Sequence, residues 1–108
     1  MNFIQQGDVL IKRVDSIPTG ANKVGRNHGK YGRGRYILAE GETTGHAHAI
    51  TQEVELFEKD GILYMKNNDQ VEVEHEEHGN VQVPDGIWRV DIVQEYDHFE
   101  EEARRVMD

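Results

Sequence analysis

Apolar and polar residues alternate with period two along most of this chain, and helical spacing is confined to its last dozen residues. The clearest stretch is QVEVEH, Gln70 to His75, which directs Val71, Val73 and His75 to one face while Glu72, Glu74 and Glu76 face solvent. FIQQGDVLIKRV reads as a first strand with a kink or bulge at Gly7 and Asp8, followed by a turn at SIPTGA. Strand signals resume in RYILAE, HAHAIT, EVELFEK, ILYMKN, QVEVEH, NVQVP and IWRVDIVQEY, separated by the turn sequences EKDG, NNDQ, HGN and PDG. Seven or eight short strands predict an all-β fold, a small antiparallel barrel or sandwich. Trp88 alternates with Val90 and Ile92, which places all three in the core and turns Arg89 and Asp91 outward. At the end, Asp97 and Glu100 have capping-box spacing, and Phe99, Ala103 and Val106 form one apolar stripe. These features predict a short helix over 97–107.

At 108 residues the chain makes a single domain, 1–108. It has no apolar run near the roughly 20 residues of a membrane helix, and no basic start followed by an apolar block, so a cytoplasmic protein is expected. Cysteine is absent, which excludes disulfides, thiolate nucleophiles and thiolate zinc sites. A metal ion would have to be held by His, Asp or Glu.

The formal net charge is -9, unevenly distributed. Residues 22–36 contain Lys23, Arg26, Lys30, Arg33 and Arg35 and no acid, leaving -14 on the rest of the chain. An acidic body disfavours extended nucleic-acid binding, which depends on neutralising phosphates. Gly25, Gly29, Gly32 and Gly34 predict a mobile loop for the basic segment. Its Arg26, Lys30, Arg33 and Arg35 are candidate ligands for one small anion.

Four of the six histidines stand in two close pairs, His46 with His48 and His75 with His78. Two histidines at i,i+2 on a strand project from the same side, close enough to converge on one ion with bonds of about 2.0 to 2.1 Å. Ala47 and Ala49 leave room around these rings. His75 and His78 would face opposite ways on a regular strand, but HEEHGN runs into a glycine turn that can bring both inward. His28 and His98 are read as ordinary surface histidines.

The stretch GETTGHAHAITQEVELFEKDG resembles the first motif of the cupin family through Gly41, His46, His48, Glu53 and Gly61, with spacing shifted by one residue at three places. GNVQVPDGIWR is similar to the second cupin motif through Gly79, Pro84 and Gly86. That resemblance implies a metal ion held by His46, His48 and Glu53. The last cupin ligand falls on Arg89, so His75 or His78 would have to replace it. More of the chain is similar to small bacterial and phage proteins that share QGDVL, LAEGETTGHAHAI, HEEH, QEYD and RRVMD. This second resemblance implies that the histidines and the ending form one inherited module, and it supplies no reaction.

Two functional classes therefore compete. In the first, a divalent ion (Zn, Fe, Mn or Ni) sits in a site made by His46, His48, His75, His78 and Glu53, as a structural clamp or as a Lewis acid. In the catalytic form Glu42, Glu53, Glu76 and Glu77 would supply a base or orient the ligands. In the second, the protein is an acidic binder of the phage type, engaging a host protein or sequestering a small anionic ligand through the basic loop. A homo-oligomer is compatible with either.

Overall fold

The computed structural model describes residues 3–41 and 45–93, and in them the alternating pattern becomes ten strands. The first, β1 (Phe3–Gln6), turns directly into β2 (Val9–Arg13). Gln6 pairs with Val9, so Gly7 and Asp8 form a two-residue turn in which Gly7 has φ 60°. Glycine at the first turn position is what a II′ hairpin requires. The single kinked strand expected here is thus a hairpin. Gly-Asp fits a bulge or a turn equally well, and either one shifts the inward parity, here from Gln6 to Val9 and Ile11.

The remaining strands are β3 (Asn22–Val24), β4 (Tyr36–Glu40), β5 (Ala47–Ile50), β6 (Glu55–Lys59), β7 (Ile62–Asn67), β8 (Val71–Val73), β9 (Val81–Val83) and β10 (Gly86–Ile92). Six of the ten strands form one antiparallel sheet in the order β1-β2-β10-β7-β6-β3. Its β6–β7 hairpin closes through Asp60 (φ 53°) and Gly61 (φ 82°), the two positive φ values of a type I′ turn. The pairs β4-β5 and β8-β9 are joined by a bridge in which Ala49 and Glu74 exchange backbone hydrogen bonds of 3.0 and 2.8 Å. The large sheet is open, with β1 and β3 at its ends, so the expected all-β antiparallel fold is present without a closed barrel.

One apolar core lies between these sheets. Ile11, Leu56, Met65 and Trp88 enter from the large sheet, and Leu38, Ile50, Val73 and Val83 from the smaller pairs. Each such side chain contributes about 1.5–3 kcal/mol by leaving water. Trp88 is fully buried and donates its Nε1–H to Asn67 Oδ1 at 3.0 Å. The Asn67 amide in turn donates to the carbonyls of Asp69 (3.0 Å) and Pro84 (2.9 Å), so this buried polar pair is satisfied. Val90 is also buried, but Ile92 departs from the expected core: it stands at the end of β10 with 44% of its surface exposed. Strand parity sets a side chain's face, and burial further requires something opposite it. Arg89 and Asp91 pair with each other at 3.1 Å.

The basic segment 22–36 is bonded to itself. Asn27 N–H donates to Arg35 O and Gly34 N–H to Asn27 O, both at 2.8 Å, and a side chain at Gly32 would collide with the Asn27 carbonyl. Its first residues form β3 and pair with β6. Among the described residues no helix is long and apolar enough to cross a membrane. The helix expected over 97–107 lies outside the described residues.

Candidate metal centre

The chain reverses between β4 and β5 through a backbone bond from Gly41 N–H to His46 O (2.8 Å), and this places His46 immediately before β5. Gly41 has no side chain to interfere: a Cβ there would stand 3.2 Å from His46 Cβ and 3.5 Å from His75 Nε2. Every residue of β5 is buried, because β4 pairs with it on one side and the Glu74 bridge holds β8 on the other. His48 therefore enters the interior although it is polar, with 2% of its surface exposed.

Beyond β8 the chain leaves the regular strand, and the expected break in parity occurs. The amides of Glu77 and His78 both donate to His75 Nδ1, at 3.0 and 3.3 Å, which folds HEEH into a tight turn. Ring centroids then lie 4.3 Å apart for His48 and His75, 4.7 Å for His75 and His78, 5.8 Å for His46 and His75, and 6.1 Å for His48 and His78. All four histidines form one cluster. Within it, His46, His75 and Glu76 each offer a ligand atom, and those atoms lie within 4.8 Å of one another, close enough to be drawn onto one ion.

The carboxylates divide into those at the cluster and one that is elsewhere. Glu76 Oε1 accepts from the Ala47 amide at 2.9 Å, Arg33 approaches its Oε2 at 3.8 Å, and Glu77 Oε2 lies 3.6 Å from His46 Nδ1. Burial opposes the ionised form of Glu76. The Ala47 amide, its own amide and the nearby His46 and His75 outweigh that and hold its carboxyl below the ordinary range. Glu53, by contrast, accepts from the Tyr36 hydroxyl at 2.8 Å and from Arg26 at 3.1 Å. The Tyr36 hydrogen bond, then Arg26, depresses the Glu53 carboxyl, and the same bond raises the Tyr36 hydroxyl. The structure thus engages Glu53 with Tyr36 and Arg26, and Glu76 is the carboxylate grouped with His46 and His75. Strand parity could not have distinguished Glu53 from Glu76, because the difference lies in which neighbouring strand each faces. Glu42 is outside the described residues.

His48 differs chemically from the rest. Burial lowers its pKa, the neighbouring His75 adds to that, and Asp8 opposes it, so the ring is held neutral. Its Nδ1 lies 2.8 Å from Gln6 Oε1, and its Nε2 lies 3.6 Å from Asp8 Oδ1. Neither Gln6 nor Asp8 stood out in the sequence. The available signal was a glutamine at the inward position of an alternating strand, two residues before a turn acid.

Of the four loop cations proposed for an anion, two are engaged internally. Arg35 is buried and donates to Gly32 O (3.1 Å) and Tyr31 O (3.2 Å), while Arg26 donates to Gly34 O, Thr51 O and Glu53. Lys30 and Arg33 remain on the surface. Lys30 borders a cavity of about 380 Å³ that extends past Tyr31 and Ile37 to His46.

This is an all-β protein with a cluster of four histidines, of which His48 is buried, between two strand pairs. Residues 5–93 match the domain of unknown function DUF8820, and the chain belongs to that family. The matched span contains Gln6, Asp8 and all four clustered histidines. No curated protein and no solved structure matches the chain.

Proposed function

We propose that this protein binds a divalent metal ion, Zn, Fe, Mn or Ni, in the cluster of His46, His48, His75 and His78, with Glu76 as the nearby carboxylate. The observation that carries the reading is the convergence of two histidine pairs far apart in sequence, with a carboxylate among them. Imidazole with carboxylate suits these borderline metals. The ion would tie the start of β5 to the turn after β8, a useful clamp for a short chain with one modest core. A second reading is favoured by the cavity beside His46. With Lys30 at its rim, it would admit a small anionic ligand next to the ion, which turns the clamp into a binding or catalytic centre.

The test is metal analysis of untagged protein purified without chelator, compared with a His46→Ala, His48→Ala double variant. The parent is expected to contain close to one ion per chain and the variant none. Thermal melts at pH 8 should show a chelator-dependent loss that disappears at about pH 5.5, because ligation needs neutral imidazoles. A parent that contains no metal and melts identically with chelator at pH 8 refutes the proposal. Hydrogen exchange across 22–36 addresses the second reading: protection that rises with an added carboxylate or phosphate supports it, and unchanged protection removes it.

A further inference from the structure

The turn between β1 and β2 has been given no role in the metal site so far, yet the side chain that enters it, Gln6, is fully engaged in hydrogen bonds. Gln6 is 2% exposed, and its amide nitrogen donates to two backbone carbonyls, Val73 O at 3.0 Å and Gly79 O at 2.9 Å. Flipping the amide would set its oxygen against both carbonyls, so the orientation is determined and Oε1 is the atom facing His48 Nδ1. An acceptor at Nδ1 places the proton there. The lone pair is left on Nε2, which faces Asp8 Oδ1 at 3.6 Å. Two acceptors thus face each other at a distance too long for a bridging proton. The distance is close to the roughly 3.3–3.4 Å between two ligands of one tetrahedral ion with bonds of about 2.0 to 2.1 Å.

We propose that this turn completes the metal centre: His48 ligates through Nε2, Asp8 supplies an oxygen beside it, and Gln6 is the positioning residue that selects the His48 tautomer. The inference rests on the metal reading above and extends it to two residues. Gln6 occupies the place where metal-bound histidines commonly have an acceptor for their second nitrogen. Asp8 is 61% exposed, so it gives the ion a route from solvent to a histidine that is itself buried.

Two measurements on the full chain test this. In the metal-free protein, ¹⁵N two-bond correlation spectra should show His48 protonated on Nδ1, and Gln6→Leu should shift it towards the Nε2–H form that free imidazole side chains favour. In titrations with zinc and with cobalt(II), Asp8→Ala and Gln6→Leu should each weaken binding about 10- to 100-fold. Only Asp8→Ala should alter the visible cobalt spectrum, because it removes a ligand. Asp8 is mostly exposed, so its variant should keep the parent's far-UV spectrum and melting temperature without metal. A His48 protonated on Nε2 in the parent overturns the proposal, as does an Asp8→Ala protein with the parent's affinity and cobalt spectrum. A parent that takes up neither metal overturns the metal reading and this extension together, whereas loss at Asp8 alone is read only against a parent that binds.

Discussion

The two histidine pairs occupy one cluster but are held in opposite ways. His48 sits on a strand, is buried, and has its Nδ1 against a side-chain oxygen, so its outer nitrogen carries a lone pair. His75 sits at the start of a turn, and its Nδ1 accepts two backbone amides, so the proton falls on its Nε2. On the strand side, the outer nitrogen can therefore act as a ligand without rearrangement. The turn side must give up backbone hydrogen bonds before His75 can ligate through Nε2. Clustering brings residues together, and the partner behind each ring decides which of them is ready.

The largest effect that would sharpen this contrast is on stability without metal. His48→Ala opens a buried space and orphans Gln6 Oε1, and it should cost about 2–4 kcal/mol in urea unfolding. His78→Ala, at an exposed position, should stay within about 0.5 kcal/mol. Equal losses would show that the two pairs are equivalent.

Gly7 links the hairpin to the HEEH turn. A Cβ on it would stand 2.5 Å from His78 Nε2, at a φ of 60° that other residues rarely adopt. Gly7→Ala should cost more than about 1 kcal/mol and shift the His78 ring resonances, whereas a loss without that shift would confine the effect to the turn backbone.

Between pH 8 and 5, His48 should contribute a fall in metal-free stability. The folded pKa of His48 lies below its unfolded value of about 6.5, so the unfolded chain binds the extra proton first. The His48 contribution is fully present above about pH 6.5 and is lost as the pH falls towards the depressed folded pKa. Urea midpoints from pH 8 to 5 should show this fall in the parent and a shallower one in His48→Gln. The Glu53 pair is exposed to solvent, so Glu53→Gln should leave the urea midpoint close to the parent's and metal uptake unchanged. Metal loss in that variant would place Glu53 in the site.

Much of this arrangement was legible in the sequence because strand parity is a local property. The alternation around Val71 and Val73 placed them inside, Trp88 and Val90 were assigned to the core, and the glycine after HEEH signalled the turn that gathers His75 and His78. What was not legible depends on which strand lies opposite. Gln6 meets His48 across 42 residues of chain, and nothing in FIQQGD states that pairing. Glu53 and Glu76 are the same residue type, each just outside a strand, and only tertiary packing gives one to Tyr36 and Arg26 and the other to the Ala47 amide.

The three hydrogen bonds of the Gln6 side chain span 42, 67 and 73 residues, whereas the β6–β7 hairpin closes through two. Contacts that enclose long loops carry their entropy cost before they return any stabilisation, so the hairpin can form early and the Gln6 junction is among the last parts to lock. Interactions absent from the folding transition state act on the unfolding rate. An ion held at that junction would therefore slow the opening of the folded chain and leave its rate of folding almost unchanged.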